Sequence, residues 1–357
     1  MMQRHNRFKL MVCVLTLVVV AGCKSIGPAT VKRDRMHYAT VVADSWKEQL
    51  LLNIVKTRYG DAPAFLEVAS VVAGYSLETG VSLNGQATPS GLSGDTFGAG
   101  GVSARYTDRP TISYTPMTGE RFAHSLLSPV PLDSLLFTIQ GGAPADFLLR
   151  LTAQSFQGHY NQGIQGGQFE PGDASFTKLL QLIRAASQAR AIEVEITKLA
   201  DRVETWLRFH AVASTNTGGR EAVAELKVLL GIPPAVDRVR VVYGKIAPEP
   251  EVIAIRTRSL LQILSTLGLG VQIPEEHLGK GGVVKVATSQ SPGGFTVHSG
   301  KKKPEGVFVA VPYEGQWFWI DRDDLASKTT LSAVTLLFSF LDNSAKQSAP
   351  VLTIPTN

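Results

Sequence analysis

Cysteine is nearly absent. The 357 residues hold two, Cys13 and Cys23, so a body folded from the residues after position 23 has no disulfide, no thiol nucleophile and no cysteine metal site. No apolar run reaches the roughly twenty residues that a membrane-crossing helix needs. Histidine clustering is missing too. Beyond His5 the chain carries His37, His124, His159, His210, His277 and His298, no two within twenty residues and none in an HExxH, which excludes a local metal-ligand spacing. There is no GxSxG nucleophile elbow and no Walker A loop. Gly268-Leu269-Gly270 runs on to Pro274 instead of to the third glycine of a dinucleotide fingerprint. Charge of one sign is scarce as well, with 35 Lys+Arg against 30 Asp+Glu.

What is present is apolar material, 44% of the chain against 18% charged, which excludes a disordered chain, a collagen-like repeat and a small disulfide scaffold. The basic surplus sits at the amino terminus, where Arg4, Arg7 and Lys9 precede any acid and lead into an apolar run over 10–21. A charged stretch before a short apolar one is the pattern of a signal peptide. It ends in Val20-Ala21-Gly22-Cys23, which resembles the lipobox of bacterial lipoproteins. That resemblance implies removal of residues 1–22 and acylation of Cys23; secretory cleavage near Ala21 and an uncleaved anchor are the alternatives. Losing Arg4, Arg7 and Lys9 with the leader takes the net charge from +5 to +2, too little for a nucleic-acid footprint. Each buried acyl CH₂ contributes about 0.8 kcal/mol, so a multiply acylated Cys23 holds the chain on membrane lipid. The residue after the anchor is Lys24, not Asp, which by resemblance to enterobacterial lipoproteins implies the outer membrane.

Residues 23–36 lack an apolar period and read as a lipidated tether. A helix is expected over 36–59, because Ala39, Val42, Trp46, Leu50 and Ile54 recur every three or four residues. Next, Tyr75, Leu77, Val81 and Leu83 alternate with Ser76, Glu78, Gly80, Ser82 and Asn84, and alternation resumes with Val102, Ala104 and Tyr106 beyond a Gly/Ser-rich stretch. Period two on both sides of a flexible tip predicts a long hairpin over 75–115, its second arm weakened by Pro110. Helices are expected around 122–127 and 135–139, and 146–156 leans to strand. Gly163, Gly166, Gly167, Pro171 and Gly172 suggest a boundary between halves 37–170 and 171–357. In the second half, strands in pairs between helices predict an α+β fold over a doubly wound sheet. The last two elements expected are a helix over 331–341 and a strand over 351–354.

Several groups could carry chemistry. Ser175-Phe176-Thr177-Lys178 has the SxxK spacing in which a lysine can take a serine proton, and Ser214-Thr215-Asn216 imitates the SxN that accompanies it. No KTG or KSG strand completes the set, and an N-cap serine is the ordinary reading. Asp321, Asp323 and Asp324 could bind a hard cation, without the spacing of a calcium loop, or simply end the strand and cap the next segment. Trp317 and Trp319 share a strand face and, with Tyr313, could stack a sugar or peptide; core packing is the alternative. Lys301-Lys302-Lys303 could touch anionic lipid or lie as a solvated loop. The arms of the hairpin, roughly eleven residues each, have the length of a transmembrane strand, so an oligomer could close a barrel from one hairpin per copy. Against this, Glu78, Arg105 and Arg109 would all have to face the lumen.

The stretches QLLLNIVKTRYGD from Gln49, RPTISYTPMTGERFAHSL from Arg109, YEGQWFWIDRDDLASK from Tyr313 and APVLTIP from Ala349 resemble a family of uncharacterised bacterial lipoproteins. The likeness implies a secreted, anchored protein and carries no activity, cofactor or catalytic residue with it. The expectation from sequence is thus a non-enzymatic, outer-membrane-anchored lipoprotein without cofactor. It would face the periplasm and act as a scaffold or interaction module toward envelope proteins. A homo-oligomeric channel built on the hairpin is the second expectation, and a serine hydrolase using Ser175 and Lys178 the third.

Overall fold

The computed structural model describes residues 26–72, 75–85, 98–108, 111–165, 168–198, 203–210, 217–278, 283 and 292–341. The leader and Cys23, the hairpin tip, Arg109, Pro110, the 214–216 motif and the strand expected over 351–354 lie outside them. The fold is α+β, as its sequence pattern predicts.

Helix α1 (Ile26–Arg58) begins ten residues before the expected start, so most of the expected tether is helical. Its Gly27 and Pro28 fall in the first turn, where a missing N–H costs nothing, and Ala29, Lys32, Arg33 and Arg35 extend the helix by propensity without an apolar stripe. Further along, Leu50, Leu51, Ile54 and Val55 are fully buried. The Asn53 side chain closes the exit from this helix by accepting from Ala64 N at 2.9 Å and donating to Ala64 O at 2.8 Å.

Two compact units share the chain: Met1–Ala43 with Leu66–Thr115, and Asp44–Phe65 with Pro116–Asn357. This division differs from the expected boundary near residue 170. In the first unit, strand β1 (Leu66–Val72) pairs with β4 (Thr111–Pro116), and β2 (Tyr75–Gly85) pairs with β3 (Gly98–Asp108).

The second unit continues with helices α2 (Gly119–Leu127), α3 (Leu132–Gln140) and α4 (Ala145–Thr152). Helix α4 corrects the strand expected over 146–156: Leu148, Leu149, Leu151 and Thr152 are buried at helical spacing, and only Ala153–Phe156, strand β5, is extended. Then come β6 (His159–Tyr160), β7 (Gly163–Gln165), β8 (Gln168–Glu170) and α5 (Ala174–Gln188). Strands β9 (Ile192–Lys198) and β10 (Val203–Phe209) precede helix α6 (Thr217–Leu230), β11 (Arg238–Tyr243) and β12 (Val252–Thr257).

A six-stranded sheet in the order β6-β5-β12-β11-β10-β9 crosses the expected boundary, because β12 takes β5 as an antiparallel neighbour and β11 as a parallel one. Arg258, fully buried just after β12, donates to the carbonyls of Arg150, Leu151 and Gln162 and so ties α4 to the sheet. Desolvation pushes its guanidinium down to about 10.

Helix α7 (Leu260–Gly268) opens on a capping box, in which Ser259 Oγ accepts from Gln262 N and Gln262 Oε1 from Ser259 N. After α8 (Glu275–Leu278), a three-stranded sheet is ordered β13 (His298–Gly300), β15 (Gln316–Ile320), β14 (Val309–Tyr313). Glu314 and Gly315 join β14 to β15 with φ of 47° and 74°, the paired left-handed conformation that matches strand twist in a two-residue hairpin. Helix α9 (Leu325–Leu341) starts six residues earlier than expected, because Asp324 caps it, accepting from Ser327 N at 3.0 Å and Ser327 Oγ at 2.5 Å.

Candidate functional site

Alternation along β15 buries Gln316, Phe318 and Ile320 on one face and leaves Trp317 and Trp319 half-buried on the other. The tryptophans are therefore neither core nor free. Trp319 Nε1 donates to Asp321 Oδ1 at 3.0 Å, and His298 Nε2 lies 3.2 Å from Asp321 Oδ2. Gly300 makes room for the indole: a Cβ there would stand 3.3 Å from its six-membered ring. The Lys303 ammonium sits 5.3 Å from the Trp317 ring centroid.

Tyr313 does not join them. Its register partner is Gln316, which places it on the opposite face of the sheet. There its hydroxyl donates to the Asp61 carboxylate and its ring meets Tyr59 edge-on at 5.2 Å. Tyr59 in turn holds His277, with its hydroxyl 2.7 Å from Nδ1. Burial, then the nearby Glu314 charge, pushes Tyr59 up to about 12; burial and the Asp61 hydrogen bond raise Tyr313 as well.

Ser175 and Lys178 take different partners. Ser175 Oγ lies 2.8 Å from His159 Nδ1, and His159 Nε2 lies 3.0 Å from the Leu229 carbonyl, which can only accept. In a neutral ring Nδ1 is thus the acceptor for the Ser175 hydroxyl. Lys178 Nζ instead pairs with Glu225 at 2.7 Å on the surface. Of the three aspartates, Asp321 holds Trp319 and His298 while Asp324 caps α9. Among the described residues, no three His, Cys, Asp or Glu side chains come together as metal ligands. In the lysine loop, Lys301 lies 3.4 Å from Glu276.

Of the hairpin expected over 75–115, β2 and β3 form an unbroken ladder from Tyr75 opposite Asp108 to Gly85 opposite Gly98, whereas β4 pairs with β1 instead of extending the second arm. Directly opposed residues share a face. One face therefore takes the positions Leu77 and Tyr106, Thr79 and Ala104, Val81 and Val102, Leu83 and Gly100, with Tyr75 and Asp108 at its base. The other takes Ser76 and Thr107, Glu78 and Arg105, Gly80 and Ser103, Ser82 and Gly101, Asn84 and Ala99. Among the described residues β2 and β3 pair with each other alone, so both outer edges of this ribbon are open. Eleven residues rising about 3.4 Å each match the span of a tilted transmembrane strand.

A feature that sequence reasoning missed lies in the second unit. A recess of about 1480 Å³ is walled by one face of the six-stranded sheet, through Ile192, Val194, Leu207, Val241, Ile253 and Ile255, and by helices α3, α4, α5 and α9. Leu325 and Leu336 line it and are 72% and 49% exposed. As a closed void at about 24 cal/mol per Å³, this volume would cost on the order of 35 kcal/mol, beyond the roughly 5–15 kcal/mol of a typical fold's stability. The space is therefore open to solvent, and its apolar walls give water few partners. Four charged side chains border it. Arg184 Nη1 lies 3.9 Å from Asp146 Oδ2, and Glu193 accepts from His210 at 2.8 Å, but Arg150 has no carboxylate partner among the described residues.

No family model, no curated protein and no solved structure matches this chain.

Proposed function

We propose that the protein is a lipid-anchored interaction module of the outer membrane whose chief partner is a further copy of itself. In this reading Cys23 carries the acyl anchor and each copy contributes its β2–β3 ribbon to a shared barrel that forms a channel. The observation that carries it is the unbroken ladder with apolar positions on one face and polar positions on the other. A transmembrane barrel strand needs that dyad pattern, apolar toward lipid and polar toward the lumen.

Two further features support it. The register sets positions Glu78 and Arg105 opposite one another on the polar face, the side a lumen would take, while Arg109 lies outside the described residues. Open edges invite pairing, and an isolated two-stranded hairpin is marginal in water. Among the described residues no helix is long and apolar enough to cross a membrane.

Inter-copy cysteine pairing tests the reading. Two differently tagged full-length chains, one with Ser76, Gly80 or Ser82 changed to Cys and the other with Ser103 or Thr107 changed to Cys, are expressed together and oxidised in intact cells. A mixed-tag disulfide at one register is expected. Absence of any such species across the scan counts against shared barrel walls and leaves a scaffold role toward other envelope proteins.

A further inference from the structure

The recess and the ribbon are independent features, and the recess has a chemistry of its own. Its floor is a sheet face of branched aliphatic side chains, and its roof includes Leu136 and Ile139 of α3, Ile183 of α5 and Leu337 of α9. At about 1480 Å³ it exceeds the roughly 300–1,000 Å³ of sites for compact drug-sized ligands. Exposed leucines at 325 and 336 extend the apolar lining outward. With Asp146 and Glu193 already engaged, the bordering charge without a carboxylate among the described residues is cationic, Arg150.

We propose that the recess binds a long-chain fatty acid, its acyl chain along the sheet face and its carboxylate on Arg150. Apolar walls reward a flexible aliphatic chain in proportion to the CH₂ groups removed from water. A guanidinium is the side chain best matched to a carboxylate, which it can grip with two parallel N–H···O bonds. Binding would also give Arg150 the counterpart it lacks among the described residues.

The test uses the full-length protein in its own membranes and a palmitate probe bearing a mid-chain diazirine. On illumination, cross-links are expected within Leu132–Gln140, Ala174–Gln188 and Leu325–Leu341, competed by unlabelled palmitate and far less by hexadecanol or phosphatidylglycerol vesicles. Arg150→Met is expected to lower labelling at sub-saturating probe about tenfold, the loss of one charge-assisted contact. Ala333→Trp fills the recess and is expected to abolish labelling; Ser187→Trp, on the exposed wall, does the same with less risk to folding, which circular dichroism checks.

Labelling that is scattered, or unchanged in both tryptophan variants, overturns the site. Hexadecanol competing as well as palmitate, with Arg150→Met labelled fully, overturns the carboxylate assignment. Phosphatidylglycerol competing where palmitate does not overturns the fatty acid. Labelling that arises only when residues 342–357 are deleted overturns the proposal in favour of the chain's own carboxyl-terminal segment as the occupant.

Discussion

Glu78 stands directly opposite Arg105 in the β2–β3 ladder, the one place where that ribbon sets opposite charges face to face. A cross-strand pair of this kind contributes roughly 0.2–1 kcal/mol, and in the proposed ring it would recur once per copy. Glu78→Arg is therefore expected to weaken assembly, seen as a lower dissociation temperature on semi-native gels, and to move ion selectivity toward anions in planar bilayers. Combining it with Arg105→Glu should restore assembly and selectivity together.

Arg258 supplies a second prediction, this time about stability. Its guanidinium donates to three carbonyls from a fully buried position, so Arg258→Leu takes a donor from each, while the Arg150 carbonyl keeps the Asn161 side-chain amide at 2.8 Å. At about 1–3 kcal/mol for a buried carbonyl left without its donor, the Leu151 carbonyl alone sets the loss at about 1 kcal/mol or more. Urea unfolding monitored by tryptophan fluorescence measures it.

The alkaline limb of stability should depend on Tyr59. Its hydroxyl titrates near 10 when unfolded and at about 12 in the fold, so the folded state holds the proton longer. That contribution is fully present below pH 10 and is lost as pH rises through 12. Between pH 9 and pH 11.5 the wild type should lose more stability than Tyr59→Phe. The comparison removes the opposing effect of Arg258, whose lowered value favours the fold as pH rises.

Gly300 tests the tryptophan ledge. Gly300→Val sets a Cβ 3.3 Å from the Trp319 ring with two methyl groups beyond it, so the indole is expected to shift and its bond to Asp321 to weaken. A red-shifted tryptophan emission is expected, with a loss of about 1 kcal/mol for the hydrogen bond. Trp319→Phe should lack the shift.

Local periodicity made the ribbon, the β14–β15 hairpin and most helices legible, because each is decided by neighbours a few residues away. The Trp317 and Trp319 face was legible for the same reason, but its exposure was not, since that depends on what packs against Phe318. Tyr313 lies on the face opposite Trp317 and Trp319, which the register through Pro312 opposite Trp317 fixes and local alternation does not. Helix α4 read as strand because a short apolar run fits both periods until its burial is known. The recess was beyond reach of any local pattern, because its walls come from residues as far apart as Leu136 and Leu337. Ser175 met His159 in place of Lys178 through the same kind of long-range packing.

The two faces of the ribbon provide the most direct test of the assembly reading. Val81 and Val102 oppose one another on the apolar side, while Ser82 opposes Gly101 on the polar side. A charge facing lipid near the bilayer midplane costs roughly 2–4 kcal/mol per strand, whereas a lumen tolerates one. The measurement is single-channel conductance of detergent-extracted protein, alongside its native mass. The account predicts a closed oligomer with discrete conductance steps in the wild type and in Ser82→Lys, and loss of both in Val81→Lys. A wild-type protein that runs as a monomer and does not conduct, or a Val81→Lys variant that assembles and conducts as well as Ser82→Lys, would contradict it.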